Sequence, residues 1–128
     1  MISVKIEAKK TVVYEFDTAI YPCLIWVSAQ QEKEGLSNIF SGEIEELGDG
    51  YHADVSVINK KEGGRFGVLI RAHSKKDLST KVIAHEAYHA AQEIFHHIGS
   101  VANYEDQEPF AYLLGYVAEC IEYVKHLK

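Results

Sequence analysis

Cysteine is scarce: the 128-residue chain has two, Cys23 and Cys120. Two cysteines build no disulfide framework, and no Cys-x-x-Cys pair is present to hold a metal. Each lies among apolar neighbours, which reads as a buried free thiol. Long hydrophobic runs are missing too. No apolar stretch approaches the roughly 20 residues that a bilayer span needs, so no membrane partner is expected. The N-terminus, Met1-Ile2-Ser3-Val4-Lys5-Ile6-Glu7, lacks the basic start and apolar core of a signal peptide, and a soluble, cytoplasmic protein is expected. Clustered positive charge is the third absence. Net charge is −6, and the lysines fall in small separate groups such as Lys9-Lys10, Lys60-Lys61 and Lys75-Lys76. Phosphate contacts need a basic stripe, so nucleic acid is not an expected partner.

What is present suits one domain over residues 1–128, with 47% hydrophobic and 25% charged residues, no repeat and no linker. Ile2, Val4 and Ile6 alternate with polar residues, the period of a half-buried strand. The β-rich stretch 11–16 is expected to pair with it across a Lys9-Lys10 turn. Residues 23–29 form a near-continuous apolar run around Trp26, which predicts a central strand buried on both faces. A short helix over 30–40 follows, weakened by Gly35, and then an acidic, solvated loop over 43–50. Ala53–Lys60 and Phe66–Ala72 read as a hairpin around Glu62-Gly63-Gly64.

The segment 78–98 is apolar almost all round and reads as a helix buried in the core, capped by Asp77 or Ser79 and ended by Gly99. A last helix over 108–125 starts with acids and Pro109. The fold expected from this order is α+β: a small, mostly antiparallel sheet packed against these two helices.

Inside the first long helix stands His85-Glu86-Ala87-Tyr88-His89. Residues four apart share one helix face, so both imidazoles can point at one ion. Glu86 lies about 100° round the helix, where it can take a proton from a water that the metal activates. A catalytic zinc site needs three protein ligands and an open position. His96 lies about 10 Å up the helix from His89 and cannot share its ion. A carboxylate at the start of the last helix is the better candidate for the third ligand. Glu108, 19 residues after His89, comes first, Glu105 next and Asp106 third.

The His85-Glu86-x-x-His89 motif, followed by Glu108-Pro109-Phe110-Ala111-Tyr112-Leu113-Leu114, resembles the gluzincin branch of the zinc metallopeptidases. It is similar in particular to small phage- or prophage-encoded zincin-like proteins, and more distantly to antirepressor-cleaving metallopeptidases of mobile elements. The likeness is specific over residues 79–120. It implies a minimal zincin-like domain that binds Zn2+ through His85, His89 and Glu108, with Glu86 as general base. The activity implied is peptide or protein hydrolysis. One position departs from that pattern: Tyr112 stands where an acid often holds a ligand histidine, so Glu119 or a backbone carbonyl is expected to orient His85. An extended substrate could add to the edge of the Phe66–Ala72 strand. Tyrosines 88, 104, 112 and 116 are expected as core aromatics. A zinc-binding or interaction module without catalysis is the alternative.

Overall fold

A computed structural model describes residues Met1–Lys128. Lys9 and Lys10 both take positive φ, 42° and 59°, and fold β1 (Val4–Ala8) back on β2 (Thr11–Asp17) with Ile6 opposite Val13. Two left-handed residues make the tight hairpin turn whose twist suits paired strands. β3 (Leu24–Gln30) pairs antiparallel with β2, and α1 (Lys33–Ile39) and the short β4 (Phe40–Ser41) follow. β5 (Ala53–Lys60) and β6 (Phe66–Ala72) form the second hairpin, with Gly63 and Gly64 at positive φ in its turn. After a 3-10 turn at Lys75–Asp77 come α2 (Thr80–His97) and α3 (Glu108–Lys125).

The six strands form one mixed sheet in the order β1-β2-β3-β6-β5-β4. Four of its five pairings are antiparallel, and β3 runs parallel to β6. The architecture is α+β.

The apolar run of β3 serves two layers. Ile25 and Val27 face α2 and α3, where they join Phe16, Val68, Ile70, Ala87, Ile94, Val117 and Ile121. Leu24 and Trp26 face the opposite side and pack with Leu36, Phe40, Ile44 and Leu69. A central strand between two apolar layers has no solvent side, which is why the run does not alternate. Cys23 and Cys120 are buried free thiols.

Several expectations need correction. The first strand begins two residues late and lies at the sheet edge, with Ile2 91% and Val4 54% exposed. The helix expected over 30–40 covers only Lys33–Ile39, and Phe40 already belongs to a strand. Gly35 is there for space: a Cβ would lie 2.0 Å from Thr11 Oγ1 and 2.4 Å from the Ala8 carbonyl. The acidic loop is anchored, because Ile44 packs in the layer of Leu24 and Trp26 and Leu47 is buried as well. β6 lies inside the sheet between β3 and β5 and offers no edge. No helix is long and apolar enough to cross a membrane.

Candidate functional site

α2 starts at Ser79, whose hydroxyl accepts a 3.2 Å hydrogen bond from the Val82 N–H. Serine at this position satisfies one of the free donors of the first turn. The helix ends at Gly99, φ +79°, where the Gly99 N–H donates to the His96 carbonyl and the Ser100 N–H to that of Phe95. Only a residue tolerant of left-handed backbone closes a helix in this way.

Between these ends the helix is amphipathic. Ile83, Glu86, Ala87, Ala90, Ala91, Ile94 and Phe95 are buried, while His85 and His89 lie on the exposed side. A helix buried all round is therefore not what forms. The sheet covers one face of α2 only, and the histidine pair stands at the margin of that contact.

At that margin the two imidazoles converge. Their Nε2 atoms are 3.1 Å apart, and the rings meet edge to face at 75°. Such a contact holds only if the nitrogens share a single proton or a cation, since two N–H donors would repel. Nitrogen ligands at 2.0–2.1 Å from a tetrahedral zinc ion are separated by about 3.3 Å. The spacing and chemistry of the pair therefore fit two places of such an ion.

Glu86 completes the group from the buried side. It is 7% exposed, and its Oε1 lies 4.0 Å from His85 Nε2. Burial pushes its carboxyl above the ordinary carboxylate range, His85 and His89 pull it back down, and the charge of Asp54 adds to the rise. The three side chains open onto a cleft of about 300 Å³ whose other walls include Tyr51, Asp54, Val55 and Glu93. Arg71, the ladder partner of Asp54 on β6, holds its carboxylate through Nε–Oδ1 and Nη2–Oδ2 contacts of 2.8 and 3.0 Å on the sheet face away from α2. A bidentate guanidinium pair of this kind locks both partners.

The third expected ligand stands apart. Glu108 occupies the first turn of α3, exposed, and Glu105 and Asp106 lie in the exposed connection before it. No group of three His, Cys, Asp or Glu side chains is gathered at metal-binding distance in the chain. Phe110, two residues after Glu108, does reach the site's flank: its ring packs 5.8 Å from that of Tyr88, which itself lies 6.1 Å from His89.

Comparison with protein-family models, with curated proteins and with solved structures gives no match. The chemistry has to come from the side chains themselves.

Other expected participants lie elsewhere. Glu119 lines a separate cleft with Arg65 and Tyr116, so it does not orient His85. Tyr112, 75% exposed, is no core aromatic, and neither are the exposed Tyr88 and Tyr104. Tyr116 donates its hydroxyl to the Asp17 carbonyl at 3.0 Å. Glu93 could have been read from its position four residues after His89, on the same helix face. Tyr51 and Asp54 carried no such signal, because they precede the motif by more than 30 residues and reach it only through the sheet.

Proposed function

We propose that the chain is a zinc-dependent hydrolase, most simply a peptidase, built on a minimal zincin-like domain. The observation that carries this reading is the 3.1 Å convergence of His85 and His89 beside a buried carboxylate with raised proton affinity. His85 and His89 would hold the ion. Glu108 is the third ligand in this reading, supported by the packing of Phe110 against Tyr88 beside His89. A bound zinc ion supplies Lewis acidity, which polarises a carbonyl and lowers the pKa of water toward about 7.

Glu86 then serves as general base. A carboxyl raised by desolvation holds a proton better than an exposed one, so it can take the proton of the attacking water and return it to the leaving amine. The substrate strand belongs on β5 rather than on β6. β4 covers the outer edge of β5 only at Asn59 and Lys60, which leaves the part nearest the cleft, Ala53 to Ile58, without a strand neighbour. An extended peptide can pair there and pass its carbonyl across the cleft.

A zinc-binding or interaction module without catalysis is the second reading. Coordination separates the two: a fourth protein ligand closing the site favours the module, and an open place favours the enzyme.

Glu86→Gln is expected to keep stoichiometric zinc, measured by elemental analysis, and to abolish cleavage of unfolded casein and of mixed peptide pools. His85→Ala is expected to lose the metal. A Glu86→Gln protein as active as its parent would refute the general-base role, and a metal-free parent would refute the zinc site.

A further inference from the structure

The edge opposite the cleft carries a pattern that points to a second copy of this chain. β1 is the outermost strand, and beyond β2 it has no strand neighbour. Exposed edges of this kind recruit strands, and proteins usually blunt them with charge. β1 carries Lys5, and a lone lysine would repel its own image. Glu7 follows two residues later on the same face, and the two side chains, 54% and 62% exposed, pair with each other at 2.9 Å.

The direction of the backbone follows from the hairpin. Ala8 and Thr11 flank a two-residue turn and exchange their ladder bonds, so Ala8, Ile6 and Val4 point their N–H and C=O groups at β2. Lys5 and Glu7 point theirs outward.

A twofold antiparallel pairing must set outward residues against outward residues, which leaves few registers. One centred on Lys5 or on Glu7 places like charges face to face. One centred on Val4 sets Lys5 against Ser3 and overlaps only the start of the strand. The register centred on Ile6 pairs all five residues. It opposes Lys5 to Glu7 twice and Ile6 to itself, and it brings the exposed Val4 beside Ala8 of the other copy. Opposite charges directly across a strand pair attract, and like charges repel.

We propose that the chain forms a twofold dimer through antiparallel pairing of β1 with β1 of a second copy, centred on Ile6, which joins the two sheets into one. The contact is a single five-residue strand, well below the usual size of a permanent interface, so the dimer dissociates on dilution.

Sedimentation equilibrium over a concentration series tests this directly. The parent is expected to show a reversible monomer–dimer equilibrium. Lys5→Glu and Glu7→Lys are each expected to weaken it by about tenfold or more, because each places like charges opposite one another twice. The double variant Lys5→Glu/Glu7→Lys restores opposite charges and is expected to restore the dimer. Both positions are exposed, and an unchanged far-ultraviolet circular dichroism spectrum confirms folding of each variant. A parent that stays monomeric at the highest concentration overturns the proposal. Single variants that dimerise like the parent, or a double variant that fails to recover, do so as well.

Discussion

Glu86 sits where two demands on a carboxylate conflict. A proton acceptor must be ionised, yet only 7% of this residue meets solvent, on a helix face otherwise lined by isoleucine, alanine and phenylalanine. Burial raises its proton affinity, and the histidines offset part of that rise. The sign for stability follows. Between the ordinary value of 4.5 and the higher folded value, the native state binds more protons than the unfolded chain, so stability falls as pH rises through that window. Above the window the full cost of a buried charge remains, and below 4.5 none does. Metal-free Glu86→Gln is therefore expected to melt higher than its parent at pH 7, with the difference disappearing below pH 4.5. Thermal melts at the two pH values check this, and a variant less stable at pH 7 would show that Glu86 is favourably held as an anion. The i, i+4 histidine spacing was legible because it is local. Which side of the helix the sheet covers is not legible, so the sequence alone places His85, Glu86 and His89 alike on a buried helix, whereas of the three only Glu86 is buried.

Two glycines and a pair of lysines set the limits of the elements around this site. Gly67 lies where β6 runs parallel to β3, and a Cβ there would come within 2.3 Å of the Leu24 carbonyl and 2.6 Å of the Trp26 ring. Backbone cannot yield at that distance. Gly67→Ala is expected to cost about 3 kcal/mol or more in urea unfolding and to shift the emission of Trp26, the single tryptophan. An unchanged midpoint would mean that the two strands separate at little cost. The first hairpin points the other way. Lys9 and Lys10 hold left-handed backbone that costs a side-chain-bearing residue about 1–2 kcal/mol. Replacing them by Asn-Gly is expected to stabilise the protein by roughly 1 kcal/mol in the same measurement. A loss of stability would indicate that the lysine side chains contribute more than their turn costs. Strand periodicity makes the hairpins readable in the chain, the unbroken apolar run does so for β3, and the caps of α2 for its ends. Gly35 misled, because a glycine that weakens a helix and one that admits a close neighbour look the same in sequence. The burial of Ile44 and Leu47 was hidden within a run of acids and glycines.

The order of the strands is the feature least visible in the chain. β3 and β6 are neighbours, yet 35 residues, including α1 and all of β4 and β5, separate the end of one from the start of the other. Long-range pairing of that kind leaves no local pattern, so nothing in the sequence encloses β6 between β3 and β5 or brings β5 to the cleft. The same arrangement decides how a metal would act on the whole molecule. α2 fixes His85 and His89 from the sheet side, whereas residues 99–109, leading into α3, are exposed throughout. The side-chain bonds of that segment, from the Glu105 N–H to Asn103 Oδ1 and from Gln107 Nε2 to the Tyr104 carbonyl, are local. The Glu108 side chain is exposed and free to turn, while α3 itself is already packed on α2, so zinc binding is expected to draw Glu108 toward the histidines and fix this connection. An ion that binds only the native state stabilises it by about 2.7 kcal/mol at a free concentration 100 times its Kd. For a domain of this size that amounts to a rise in melting temperature of about 10 °C. His85→Ala and His89→Ala are expected to abolish the rise, and Glu86→Gln to retain most of it. Glu108→Gln is the deciding variant. A reduced zinc shift with an unchanged metal-free melting temperature places Glu108 at the ion, whereas a full shift assigns the third place to another group.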